Sequence, residues 1–496
     1  MIAVLLAALV VAAGWLVWRR PFLGLGVLVA GMAFHNFLLM VLLGLGTSHV
    51  LVRAFQSWKE AILALLLVVT GMRVLKAYRE GRLGRPTPLD WVAGAFLLIM
   101  VVYLVLPSGV LHSSAGLQQR LAAFRLAAFM PVLFALGRTV EAEDRDLSAV
   151  AWMLLISGAV VGAFGLFELW FVPTRVWLDW GINQFSAWLG FQYAGPKGLP
   201  ENFFQTIKGD VLVRRMVSTY LSPLGIAYTG LLIFPVAVVL LDRQRKASVG
   251  QILGAIAVGF LLAGILFSVT RLALFALVGE VALLALLMRR PLQYGLVSIV
   301  VAAVVVVIVL YPQYAPVVDH NLNPTTRPGG ANIVSAGDPS FLEHLRTVEA
   351  DLLVAARHPL GEGLGSTGTS ANRFTTNPAA STDYAPGESA VLTFFVDTGV
   401  LGGLAYLLFY GLGLIQSVRG LFAVPRGSLA SALPMAAVIG GLALIPITST
   451  SDVWGDLSVT FLFWWAVGFS ARAAVGREPA SWRAWLTGPK PRVMST

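Results

Sequence analysis

Long apolar runs constrain this chain more than any other feature. They fall near 1–18, 22–44, 57–76, 91–107, 121–138, 149–172, 221–241, 252–269, 271–288, 292–311, 389–416, 430–447 and 456–475. Each is long enough to cross a hydrocarbon layer, which takes about 17–25 helical residues. Inside lipid a backbone must satisfy its own hydrogen bonds, so runs of this length fold as helices. The expected fold is therefore an all-α polytopic membrane protein with about 12–14 transmembrane helices. Composition agrees, with 57% hydrophobic and 12% charged residues, against about a quarter charged in soluble domains. A soluble enzyme, a disordered chain and a coiled-coil rod are excluded. The absence of cysteine removes disulfides, iron–sulfur clusters and thiolate zinc sites.

The net charge of +10 comes from 35 basic and 25 acidic residues. Such an excess fits nucleic acid, anionic lipid or the positive-inside bias of membrane proteins. Placement decides. Arg19, Arg20, Arg73, Lys76, Arg79, Arg138, Arg145, Arg243, Arg289, Arg290, Arg419 and Arg426 all fall in turns on one side of the expected topology. That side is read as cytoplasmic and includes the C-terminus. Because the basic residues are scattered over many short turns, no nucleic-acid partner is expected. Trp18-Arg19-Arg20 follows the first apolar run instead of preceding it, which favours a retained anchor over a signal peptide.

The chain divides into N-terminal transmembrane helices (1–172), a first outer loop (173–220), core helices (221–311), a long outer loop (312–388), C-terminal helices (389–475) and a cytoplasmic tail (476–496). Trp177, Trp180, Trp188, Phe203 and Phe204 in the first loop suggest a segment lying in the membrane interface. In the long loop, Asp338-Pro339-Ser340 with Glu343 reads as a helix start. Leu342, Leu345, Val348, Leu352 and Leu353 then form an apolar stripe, with Arg346, Glu349, Asp351 and Arg357 on the other faces. The helix should end at His358-Pro359.

Several charged residues stand out against this apolar background. Arg214-Arg215 could clamp phosphate oxygens bidentately, or simply touch lipid headgroups. Arg271, in Ser268-Val-Thr-Arg, breaks a nearly continuous apolar stretch. It should face a polar cavity or a partner, unless the four residues are only a tight turn. Glu388 opens a span and is either a site residue or a carboxylate reaching for water. Gly399 marks close helix packing, Asp397 needs a partner such as a helix–helix hydrogen bond, and Glu280 carries the same question. His35 reads as a packed core residue. His320, His344 and His358 show no metal-cage spacing, so no metal is expected. Gly361-x-Gly-x-Gly365 follows a helix with no preceding strand, so it is no nucleotide fingerprint. It more simply permits a sharp turn near the membrane or a ligand.

Taken in order over about residues 210–470, these elements resemble the bacterial O-antigen ligase/polymerase superfamily, membrane glycosyltransferases of the C-type fold. The segments are Arg215 to Gly225 with its Ser-Thr and Pro, Ser268-Val-Thr-Arg271, the long loop, His358-Pro-Leu-Gly-x-Gly-x-Gly, and Glu388 through Gly399-Val-Leu-Gly402. The resemblance implies an undecaprenyl-diphosphate-linked glycan as donor, its diphosphate gripped by Arg215 (with Arg214 the other candidate) and Arg271. It also implies an inverting, metal-independent transfer without cofactor at the outer, periplasmic face of a bacterial inner membrane. Ligases place a His where this chain has Glu388, which becomes the candidate general base. That substitution favours polymerisation of glycan repeat units over ligation of finished glycan to lipid A core or protein. Arg346, Arg357, His358 and Glu362 form a candidate acceptor site on the loop. Expected partners are an acceptor glycan or lipid, membrane lipid and a chain-length regulator. A lipid-glycan flippase is the non-enzyme alternative.

Overall fold

The computed structural model describes residues 2–81, 86–111, 113, 115–190, 199–207, 211–244, 248–288, 291–315, 339–374 and 387–475. Twelve helices among them are long and apolar enough to cross a membrane: Pro21–Gly44, His49–Arg79, Pro88–Val105, Leu117–Thr139, Asp144–Phe171, Pro223–Asp242, Val249–Phe267, Arg271–Met288, Gly295–Tyr314, Ala390–Ala423, Leu429–Thr448 and Leu457–Ala474. The first apolar run forms a further helix, Ile2–Arg19. The chain is thus a helical, multi-pass membrane protein, as its apolar runs require.

The bundle is organised around Leu457–Ala474, which packs on Leu117–Thr139 and Ala390–Ala423. Trp464, Trp465, Phe461 and Phe463 are fully buried along it. Backbones approach closely because small residues line the contacts. A Cβ at Gly137 would run into the Trp465 carbonyl, one at Gly468 into the Phe134 carbonyl, and one at Gly420 into the Ser470 carbonyl. Outward faces instead present Ile252, Ile256, Phe275, Ile299, Val305, Leu404 and Leu408, an apolar exterior of the kind a membrane covers.

The first long loop has folded structure of its own. It folds into short helices Val176–Asp179 and Ile182–Leu189 and an antiparallel hairpin, Phe204–Ile207 with Val211–Arg214. The hairpin is a small exception to the all-α expectation. Trp177, Phe203 and Phe204 are buried, in a cluster with Leu39, Met40, Leu43 and Val217. These three close a satellite core over the end of the Pro21–Gly44 helix, with Trp180 and Trp188 partly buried against it.

The long loop supplies the expected helix, Pro339–Arg357. Asp338 and the side chains of Ser340 and Glu343, read as its start, lie outside the described residues. Its buried face differs from the apolar stripe. Thr347, Asp351 and Val354 face inward, whereas Leu345, Leu352 and Leu353 are about half exposed. Two contacts fix this orientation: the Asp351 carboxylate accepts the Gly387 N–H at 3.0 Å, and Val354 packs on Val396.

Residues 359–367 dip against a break in the Ala390–Ala423 helix. Gly399 adopts φ 63°, ψ −167°, a conformation open essentially to glycine. Val400 N–H donates to the Pro359 carbonyl at 3.0 Å, Glu362 N–H to Val396 at 2.8 Å and Gly363 N–H to Asp397 at 3.1 Å. Gly399 therefore permits close approach of the loop, where a neighbouring helix was expected. Asp397 likewise finds loop amides in place of another helix, accepting from Gly365 N–H at 2.8 Å and Thr367 N–H at 3.1 Å.

Candidate functional site

The two arginine segments meet. After the hairpin, Arg215 N–H donates to the Phe203 carbonyl at 2.9 Å and Met216 N–H to the Phe267 carbonyl at 2.9 Å. The second bond joins the end of the hairpin to the turn between Val249–Phe267 and Arg271–Met288. Ser268 shapes that turn, its hydroxyl donating to Ile265 at 2.7 Å and accepting the Thr270 N–H at 3.3 Å. Val269 between them has φ +54°, and Ser218 and Leu221 just beyond the arginines have φ +43° and +56°. These are the only non-glycine residues with positive φ among the described residues. Such conformations cost about 1–3 kcal/mol each and cluster at functional sites.

The neighbouring arginines have different surroundings. Arg214 is fully engaged: it donates to the Val172 carbonyl at 2.6 Å, the Glu168 carbonyl at 2.9 Å and the Glu168 carboxylate at 2.7 Å. Glu168, fully buried, uses its other oxygen to accept the N–H groups of Val217 at 2.9 Å and Ser218 at 3.3 Å. Arg214 and Glu168 thus brace the strained segment. Arg215 is also buried, but among the described residues its guanidinium hydrogen-bonds to the Ser268 carbonyl at 2.8 Å and the Thr270 hydroxyl at 2.9 Å. It has no carboxylate partner among the described residues. Burial lowers its pKa to about 10, with Tyr228 opposing and the nearby Arg271 charge reinforcing the shift. Arg215 remains a cation at neutral pH, held near a second cation at the start of the Arg271–Met288 helix.

Glu388 sits across a polar turn from this pair. Ser389 caps the Ala390–Ala423 helix through the Leu392 N–H at 3.2 Å, and Ala390 N–H donates to the Ser451 carbonyl at 3.2 Å. The Ser451 hydroxyl lies 3.3 Å from the Tyr228 hydroxyl, and Tyr228, like Tyr311, acts on Arg215. Residues 449–456 therefore link the Glu388 end of one helix to the arginine turn. The Glu388 carboxylate contacts His344 Nδ1 at 2.5 Å. A small cleft of about 40 Å³ adjoins the turn, lined by Thr367, Thr369, Asp397 and Asp452 over Leu364, Phe394 and Trp454. Its lining includes neither arginine nor Glu388. Burial raises the pKa of Asp452, against the Thr369 hydroxyl that donates to it at 2.6 Å.

The remaining candidates are more dispersed. His358 and Glu362 pair with each other at 3.4 Å, while Arg346 and Arg357 are exposed on the Pro339–Arg357 helix. Glu280 is buried in its span, with no hydrogen-bond partner for either carboxyl oxygen among the described residues. His35 is packed in the second span, accepting the Trp58 indole N–H at 3.1 Å. His320 lies outside the described residues. No group of three or more potential metal ligands occurs among the described residues.

Sequence reasoning missed Glu168, Tyr228, Ser451, the contact of Asp351 with the Gly387 amide and the pairing of His344 with Glu388. The polar run Thr448-Ser-Thr-Ser-Asp452 between two apolar runs was a usable signal for the linking turn. Comparison with protein-family models and with curated proteins gives no match.

Proposed function

We propose that this protein is a membrane glycosyltransferase that polymerises glycan repeat units carried on undecaprenyl diphosphate, working at the outer face of a bacterial inner membrane. The observation that carries the reading is Arg215: a buried cation without a carboxylate partner among the described residues, close to Arg271, in a strained turn of a membrane protein. A buried charge is costly without compensation, and an anionic ligand would supply it. A diphosphate at the membrane surface suits two guanidiniums in both charge and geometry.

In this mechanism the acceptor hydroxyl oxygen attacks the anomeric carbon of the donor sugar. The bond from that carbon to the diphosphate oxygen breaks, and its electron pair leaves with the diphosphate. Arg215 and Arg271 stabilise the charge that builds there, where preorganised cations contribute most. The hydroxyl proton passes to the Glu388 side of the site. Energy comes from the activated lipid diphosphate.

The test gives purified protein lipid-linked repeat units and sizes the products. Arg215→Ala and Arg271→Ala should each lower turnover by about 100-fold or more, the scale of losing one charge-stabilising donor. Undiminished product from both variants would overturn the assignment. Chain extension without any added lipid A core or protein acceptor separates polymerase from ligase.

A further inference from the structure

The Pro339–Arg357 helix brings an imidazole to the proposed base, although 44 residues of chain separate them. His344 Nδ1 lies 2.5 Å from a Glu388 carboxylate oxygen, with both side chains a little under half exposed. We propose that His344 and Glu388 act as one proton-sharing pair in which the His344 imidazole accepts the proton of the acceptor hydroxyl and Glu388 orients and stabilises it. The inference rests on the transferase reading above and deepens it. A carboxylate alone is a weak base near neutral pH, whereas an imidazole has a pKa near the working range. A carboxylate on one ring nitrogen fixes the tautomer and stabilises the imidazolium once it forms.

The surroundings hold the pair in place. Two helical turns further on, Asp351 fastens the helix to the Gly387 N–H at 3.0 Å, immediately before Glu388. Its other oxygen is buried and has no hydrogen-bond partner among the described residues. Burial raises the Asp351 pKa to about 6, the Gly387 N–H opposing and the Glu388 charge reinforcing. A second carboxyl beside Glu388 therefore takes up a proton more readily than usual, which limits repulsion between the two. On the Ala390–Ala423 side, the next described acid is Asp397, whose carboxylate is occupied by the loop amides of Gly365 and Thr367. Arg346 and Glu349 lie exposed on His344's own helix.

Full-length protein labelled with ¹³C/¹⁵N-histidine, reconstituted in lipid nanodiscs, allows His344 to be titrated by NMR, with His344→Gln identifying its signal. Glu388→Gln should lower the His344 pKa by about one unit, a tenfold loss of proton affinity. An unchanged titration would overturn the pair. With lipid-linked repeat units as substrate, His344→Gln should lower kcat by about 100-fold or more and leave donor KM unchanged, and Glu388→Gln should shift the acid limb of the rate profile to lower pH. A His344→Gln variant that keeps wild-type kcat and pH profile would overturn the catalytic role. Wild-type protein that makes no product overturns the transferase reading and this role together. In that case a His344 pKa that still falls in Glu388→Gln shows that the proton pair exists without it.

Discussion

Arg214 and Arg215 are adjacent, equally buried and chemically identical, so substituting each in turn separates support from ligand binding. Glu168→Ala strands the Arg214 charge, which costs about 3–5 kcal/mol when a buried pair is broken. It also leaves the Val217 and Ser218 amides without their acceptor, at roughly 1–3 kcal/mol per buried group. Arg214→Ala should cost somewhat less, because the remaining carboxylate keeps both amides. Arg215→Ala loses two hydrogen bonds, worth about 1 kcal/mol each, but relieves the burial of an unpaired cation beside Arg271. Its net effect on stability should be small.

The assay is thermal unfolding in detergent, read by size-exclusion, alongside binding of a labelled polyprenyl diphosphate. Glu168→Ala and Arg214→Ala should lower the unfolding temperature by several degrees, with binding lost as a consequence. Arg215→Ala should unfold near the wild-type temperature and still fail to bind. If Arg215→Ala destabilises the protein as much as Arg214→Ala, or if it retains full diphosphate binding, Arg215 is a structural residue and the site is misplaced.

Gly399→Ala forces a side chain onto a conformation open essentially to glycine and onto the Pro359 carbonyl. It should cost about 3 kcal/mol or more and lower the unfolding temperature more than Gly411→Ala, whose added Cβ meets open space. Burial raises the Asp456 pKa from 3.8 to about 6, against the Ser458 N–H that it caps. The folded chain therefore holds a proton there that the unfolded chain releases. This stabilisation is complete below about pH 4 and is lost as pH rises to about 6. Asp456→Asn keeps a competent helix cap and should flatten that part of the stability profile; an unchanged slope between pH 4 and 6 would refute the assignment. Glu280 has no hydrogen-bond partner among the described residues, so Glu280→Met should leave stability unchanged or raise it. A large loss of turnover in that variant, without loss of fold, would show that the buried carboxyl has a function.

The spans were legible because lipid leaves a long apolar run few alternatives to a helix, and most described helix bounds follow those runs within a few residues, the helical stretches His49–Arg79 and Ala390–Ala423 running longer. The site was legible only in part. Arg215 and Arg271 attract notice because charge is rare in such a setting, but sequence cannot say which arginine of an adjacent pair finds the buried glutamate. Glu168 decides that, and it lies 46 residues away near the end of what reads as an ordinary span. The Pro339–Arg357 helix shows a more general difficulty. In a soluble protein its stripe of Leu345, Leu352 and Leu353 would mark the buried face. At a membrane surface an apolar stripe has a second apolar environment available, so the pattern no longer fixes which side meets protein. Here the inward face is chosen by the hydrogen bond from the Gly387 amide to Asp351 and by Val354 packing on Val396. The same choice turns His344 towards Glu388. Rotating the helix to bury its leucines would separate the two, so the exposed stripe and the imidazole–carboxylate pair arise from the same orientation.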